Sequence, residues 1–380
     1  MKNIVIILSA AILLTNCGPR NSPKSSLAEA WDSVNDPNRL SQDQYEVNFD
    51  ILPSEGSLES LPWSDDYWPT YTGGISHRWQ LLDFSYDLLN SESLKGAETA
   101  TLSPAEKYDL FVGRLDFPLT RSERKRTQIL KTVEGSFDFD PDFEIPHWEG
   151  LCHGWAAAAV NYKEPKPVTL KGATGDAVLF TSADIKALLT YYQQYPGNQT
   201  ARSTMVSRRC NVSFEELQEK VDSGEMTREQ MNEQMESIEC RDVNAGSFHV
   251  VLTNEIGLRK TSFIIDVTRD AEVWNQPVNS FQSVYENLRG VDANAANGTR
   301  REVKVRTEMM YTVEINPETE RVATAEKKAS YQYILELDRN DNIIGGRWIS
   351  KDRPDFLWKE TRAKFRGYFK ALEKIYNESI

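Results

Sequence analysis

The stretch "IPHWEGLCHGWAAAAV", residues 145–160, sets one cysteine at the mouth of an alanine-rich run. Pro146 and Gly150 break regular structure ahead of Cys152, and "CHGWAAAAV" has the composition of a helix whose small side chains pack tightly in a core. A cysteine at a helix N-terminus faces the positive end of the dipole and a set of free N–H groups, which stabilise a thiolate. Those N–H groups would also form an oxyanion hole. A free cysteine is equally at home as a small buried hydrophobe. The stretch by itself therefore leaves Cys152 open between nucleophile and packing residue.

The rest of the chain narrows the choice. It has 380 residues, with 44 Lys and Arg against 57 Asp and Glu, a formal net charge of −13. Such a balance argues against nucleic acid and anionic membrane surfaces as partners. The length fits one large domain or two. The chain opens "MKNIVIILSAAILLTNC": Lys2 supplies a basic start, and the apolar run 4–14 is too short to span a bilayer. "LLTNC" resembles a bacterial lipobox, with Asn16 in place of the usual small residue. Residues 1–17 are thus expected to be a signal peptide ending at a lipidated Cys17, and the protein to be exported and lipid-anchored to a bacterial membrane, periplasmic or at the cell surface.

Four cysteines occur: Cys17, Cys152, Cys210 and Cys240. In an exported chain Cys210 and Cys240, flanking a helical segment, are the natural disulfide pair. Closing a loop of about 30 residues stabilises by roughly 3–4 kcal/mol in the chain-entropy view. Cys152 is left as the odd thiol.

Residues 18–60 are polar and weakly patterned, which reads as a flexible tether. Aromatic density jumps at "SLPWSDDYWPTYTGGISHRW", so the folded body, 61–380, is expected to begin there. Ser103, Pro104 and Glu106 form a helix start with a capping box. "TRSERKRTQILKT" is basic and helical. "PVTLKGATGDAVLFTSADIKALLTYY" reads strand, turn, strand, then a helix from Ala183 capped by Ser182. Two short helices carry boxes at Ser213/Glu216 and Thr227/Gln230. "GSFHVVLTNEIGLRKTSFIIDVTRD" predicts two β runs turning at Gly257, and strand-period segments follow, ending in a hairpin through "DRNDN". That pentapeptide is no calcium loop, because Ile343 and Ile349 stand where Gly and Glu are required. Helices first and antiparallel strands last predict an α+β fold. The chain has no internal repeat, Gly-rich phosphate loop or CxxC metal pattern.

A thiol nucleophile needs a base and an orienting group. Among four histidines, His153 projects about 100° away from Cys152 on a helix, while His147 and His77 sit in ordinary packed or surface contexts. His249 remains. In a hairpin turning at Gly257–Leu258 it would stand opposite Asp266, side by side across the strands. A lone carboxylate in "FIIDVT" calls for such a partner. Cys152, His249 and Asp266 are the expected triad.

"VWNQPVNSFQSVYE" (273–286) resembles the surface peptide of the elicitor-type transglutaminases secreted by oomycete plant pathogens, a family with bacterial relatives. The resemblance extends to "YWPTYTGGISHRW", "GLCHGWAAAA", "FTSADIKALLTYY", "NAGSFHVVLTN" and "GGRWISKDRPDFLW", in order, over roughly residues 60–360. It implies a core related to papain-like cysteine enzymes. It also implies that Cys152 attacks a glutamine side chain with His249 as base and Asp266 as orienting carboxylate, and that a lysine amine or other amine resolves the thioester. Calcium is implied as cofactor, without ligands assigned, and protein substrates with accessible Gln and Lys as partners. Asn279–Ser280 replace an Arg–Gly pair of the family peptide, and one extra residue separates Phe281 from Val284. Trp274 would shield the site from water and Trp148 would support the oxyanion, unless either is simply packed. The same acyl-enzyme with water as acceptor would make a peptidase or glutamine deamidase, and a silent binding lipoprotein is the non-enzymatic alternative.

Overall fold

The computed structural model describes residues 32–88, 98–197, 199–208, 214–235, 242–267 and 272–380. Cys17, Cys210 and Cys240, and with them the lipidation and disulfide expectations, lie outside the described residues.

In chain order the elements are β1 (Glu55–Ser57), α1 (Pro104–Phe111), α2 (Pro118–Thr127), α3 (Cys152–Asn161), β2 (Val168–Lys171), β3 (Ala177–Phe180) and α4 (Ser182–Gln194). There follow β4 (Ser203–Val206), α5 (Phe214–Asp222), α6 (Arg228–Met235), α7 (Ala245–Leu252), β5 (Ile264–Asp266) and β6 (Asn275–Asn287). The chain closes with β7 (Arg301–Thr312), β8 (Glu326–Leu337), β9 (Ile343–Trp348), β10 (Leu357–Glu360) and α8 (Leu372–Ser379). Among the described residues, one antiparallel sheet runs β4-β10-β5-β6-β7-β8-β9, with β1 added alongside β6, and β2–β3 form a separate hairpin. Helices precede a C-terminal sheet, the α+β arrangement expected from the segregation of sequence patterns.

Local chemistry accounts for many of the boundaries. Ser103 and Glu106 close a reciprocal capping box on α1, with Pro104 at its first position. Thr227 and Gln230 do the same ahead of α6. The box of α4 is Thr181–Asp184, one residue earlier than the expected Ser182 cap, because the Thr181 hydroxyl accepts from the Asp184 N–H. Asp184 also takes the Lys107 ammonium at 2.5 Å, which ties α4 to α1. The β8–β9 turn is the "DRNDN" hairpin: the Asp338 carboxylate accepts from the N–H groups of Asn340 and Asn342.

Two further expectations change. The tether of 18–60 is packed from Asp32 onward: Leu40, Tyr45 and Leu52 are buried, and β1 pairs with β6. The run 247–254 is helix α7, not a strand. Asn244 caps it, its side chain accepting from the N–H groups of Gly246 and Ser247. Gly246 lies directly against β9, where a Cβ would come within 2.4 Å of the Gly345 carbonyl oxygen.

The sheet separates two cores. Ile264 and Trp358 belong to the one that α3 and α4 cover, whereas their strand neighbours Ile265 and Leu357 belong to the one that holds α7. This alternation follows from the two-residue period of a strand.

Candidate active site

Helix α3 begins at Cys152. Its N-cap, Leu151, offers no side-chain acceptor, so the cap residue satisfies none of the first-turn N–H groups, and only that of Gly154 is taken up by a side chain from α4. Two contacts fix the approach: the Leu151 N–H donates to the Tyr67 carbonyl at 2.6 Å, and the Tyr67 hydroxyl donates to the His147 carbonyl at 2.7 Å. The aromatic segment thus braces the loop ahead of the thiol. On its inner side α3 meets α4 so closely that a Cβ on Gly154 would lie 2.3 Å from the Thr190 carbonyl oxygen, and the Gly154 N–H donates to Gln194 Oε1 at 3.0 Å. Ala156, Ala157 and Ala158 are fully buried there, as the alanine run predicts.

Cys152 is partly buried and not in a disulfide. Its Sγ lies 3.5 Å from the Val273 carbonyl oxygen, to which it donates, and 3.6 Å from Asn275 Nδ2, from which it accepts. Asn275 Oδ1 in turn accepts from Trp358 Nε1 at 2.7 Å. Trp358 stacks on the His153 ring, centroids 4.2 Å apart and nearly parallel, and His153 Nε2 stands 3.7 Å from a Glu360 oxygen. Asp266 is fully buried and lies directly opposite Asn275 in the β5–β6 register. Its carboxylate accepts from the Trp274 N–H at 3.3 Å.

Burial pushes the Cys152 thiol up from its ordinary value, and the charges of Glu314 and Asp266 add to the rise, while the Asn275 side-chain amide and N–H pull it down. This direction opposes the thiolate expected at a helix N-terminus and accords with the thiol donating to the Val273 carbonyl. Burial also raises Glu314, which accepts from Gln276 Nε2 at 3.0 Å, and lifts Asp66 to about 7, with Glu314 pushing in the same direction. Asp66 therefore titrates in the neutral range.

Of the predicted residues, Cys152 at the start of α3 and Asp266 on β5 both meet Asn275, the first through its side-chain amide and the second as its cross-strand partner. The structure does not bring His249 there. His249 sits on α7, fully buried in the other core, with Nδ1 2.7 Å from the Tyr333 hydroxyl and Phe49, Tyr285 and Tyr333 around its ring. Burial alone lowers it to about 3, so the imidazole is neutral. The hairpin that would have placed it against Asp266 does not exist, since its first half is helical. Trp274 is half-buried, edge-on to Tyr67 with centroids at 5.8 Å, and its Nε1 donates to Glu272 at 3.0 Å. Trp148 is half-buried in the loop before Cys152.

Asn275, Asp66 and Glu314 were not singled out from the sequence. Asn275 lies inside "VWNQPV", a segment read only for its family resemblance, and its place opposite Asp266 comes from the β5–β6 register. Among the described residues no three His, Cys, Asp or Glu side chains are grouped to hold a metal ion. No described helix is long and apolar enough to cross a membrane.

A free thiol at a helix N-terminus, set against carboxylate and amide groups on an antiparallel sheet, defines a cysteine-centred α+β protein. Residues 140–366, more than half of the chain, match the transglutaminase elicitor family, and the chain belongs to that family. The fold is similar to the crystal structure of the GP42 transglutaminase from Phytophthora sojae, with a TM-score of 0.59 and 23% identity over 88% of this chain and 94% of that one. No curated protein sequence matches the chain.

Proposed function

We propose that this protein is a protein-glutamine γ-glutamyltransferase in which Cys152 is the nucleophile and Asp266 the proton acceptor. The supporting observation is the juxtaposition of a helix N-terminus whose cap residue supplies no side-chain acceptor, the Cys152 thiol held by Asn275, and Asp266 opposite Asn275 on the neighbouring strand. The sulfur attacks the carboxamide carbon of a glutamine side chain, and its proton passes to Asp266. The first N–H groups of α3 receive the developing oxyanion. The carbon–nitrogen bond breaks, the proton moves to the departing nitrogen, and ammonia leaves a thioester. An amine then attacks the thioester, giving up a proton to Asp266; the carbon–sulfur bond breaks and the thiol is restored. Tyr67 and Trp274 form an aromatic wall that favours amine over water.

The test is covalent incorporation of a labelled primary amine into a glutamine-rich protein, with ammonia release followed in parallel, for wild type and Cys152→Ala, with and without calcium. Cysteine-dependent incorporation supports the reading. Cysteine-dependent ammonia without incorporation replaces it with a deamidase, and no product from either protein replaces it with a binding role. Export with lipid anchoring at Cys17 belongs to the same proposal and is tested by metabolic labelling with a fatty acid, which Cys17→Ala should abolish.

A further inference from the structure

Away from Cys152 a cleft of about 1040 Å³ opens between the N-terminal segment, the C-terminal end of α3 and the ends of β4 and β10. Its walls carry the exposed cations Arg39, Lys163, Arg202, Lys260, Arg321 and Arg362. None of the six forms an ion pair with a carboxylate among the described residues. The two lining side-chain carboxylates are already engaged: Glu164 holds Lys186 at 2.8 Å, and Glu360 accepts from Gln193.

Three of the guanidinium groups are held in place without being neutralised. Arg39 donates to the carbonyls of Met205 and Ser33 at 3.1 and 3.0 Å. Arg362 lies over the Tyr162 ring at 4.6 Å and the Tyr376 ring at 5.1 Å. Arg321 reaches the Ser379 carbonyl at 3.5 Å. Six like charges gathered around one concavity repel one another, and a chain with a net charge of −13 has ample acid to pair them elsewhere on its surface. A cleft whose lining carries an excess of one sign of charge focuses the field on a counter-ion. Guanidinium forks match the oxygens of a phosphate group in twos. The volume fits a compact small-molecule site.

We infer that this cleft binds a compact ligand carrying several phosphate groups, either free in solution or as the headgroup of a lipid. The site is separate from the Cys152 chemistry and does not depend on it.

The experiment is calorimetric titration of the full chain with inositol hexakisphosphate, with citrate as a carboxylate control, alongside sedimentation with phosphatidylcholine vesicles with and without phosphatidylinositol bisphosphate. The expected result is salt-sensitive binding of the hexakisphosphate, weakened at least about tenfold in Arg202→Gln/Lys260→Gln/Arg321→Gln, since each lost charge-assisted contact carries a tenfold-scale effect. A control variant, Arg306→Gln/Lys328→Gln, removes two exposed cations of β7 and β8 outside the cleft and should bind as wild type does. Competition by free hexakisphosphate for phosphoinositide-dependent vesicle binding would assign a headgroup, and hexakisphosphate binding without vesicle binding a soluble ligand; either supports the inference. No binding, equal binding of citrate, or equal loss in the control variant would overturn it.

Discussion

The two faces of the sheet hold buried polar groups of opposite character. On the face under α3, Cys152, Asn275 and Asp266 meet beside a half-open aromatic wall, with Glu314 close enough to raise Asp66. On the face under α7, His249, Tyr333, Thr307 and Ser283 form a sealed chain of hydrogen bonds 2.7, 2.8 and 2.8 Å long. In the first set the thiol is partly exposed. In the second the imidazole is held neutral by burial alone, and its Nε2 is buried without a hydrogen-bond partner. A histidine in the right family and the right sequence neighbourhood is therefore not a base unless the fold turns it toward the thiol.

The sharpest way to break this contrast is to remove the carboxylate. Asp266→Asn should lower amine incorporation by about 10²–10⁴-fold, the usual range for losing a proton acceptor, with circular dichroism unchanged. If it transfers at wild-type rate, the base lies elsewhere. Next in size is the support of α3. Gly154→Ala forces a Cβ into the Thr190 carbonyl and should destabilise the fold by about 2–4 kcal/mol in urea denaturation, since neither helix backbone can yield.

On the other face, His249→Gln should cost roughly 1–3 kcal/mol at neutral pH through the lost bond to Tyr333. It should leave transfer per folded molecule unchanged. The pH dependence has a definite sign. The unfolded imidazole takes up a proton below about 6.5, whereas the folded one resists it down to about 3. Wild-type stability therefore stays full above pH 6.5 and falls as pH drops toward 3, by about 1.4 kcal/mol per unit from this group. His249→Gln should remove that slope, and a loss of transfer in excess of the loss of folding would reconnect the two faces.

The smallest effect expected is at Asn275. Asn275→Ala removes a hydrogen bond that favours the thiolate, so alkylation of Cys152 by iodoacetamide at pH 8 should slow by roughly threefold, about the worth of one weak bond. Faster alkylation would mean that the amide shields the sulfur instead of activating it.

Much of the fold was legible because its signals are local. The capping box at Ser103 and Glu106, the alanine-rich helix behind Cys152 and the Asp338–Asn342 turn each depend on residues within a few positions of one another. Helices before strands followed from the change of period along the chain. The resemblance carried by "GLCHGWAAAA" and "VWNQPV" pointed to the family and to Cys152. What the tertiary structure decided is where the other groups face. "SFHVVLT" is short, and its apolar residues Phe248, Val250, Val251 and Leu252 are too few to separate a helical from a strand period. Docking of Gly246 on β9, together with the Asn244 cap, settled it as helix. That single outcome moved His249 to the far side of the sheet and left Asp266 facing Asn275. Packing of residues 32–58 was likewise hidden, because their few apolar side chains find their partners more than 200 residues away, as Tyr45 does at Glu255. Local hydrogen bonding writes itself into sequence, whereas the face on which a side chain emerges depends on contacts that only the folded chain brings together.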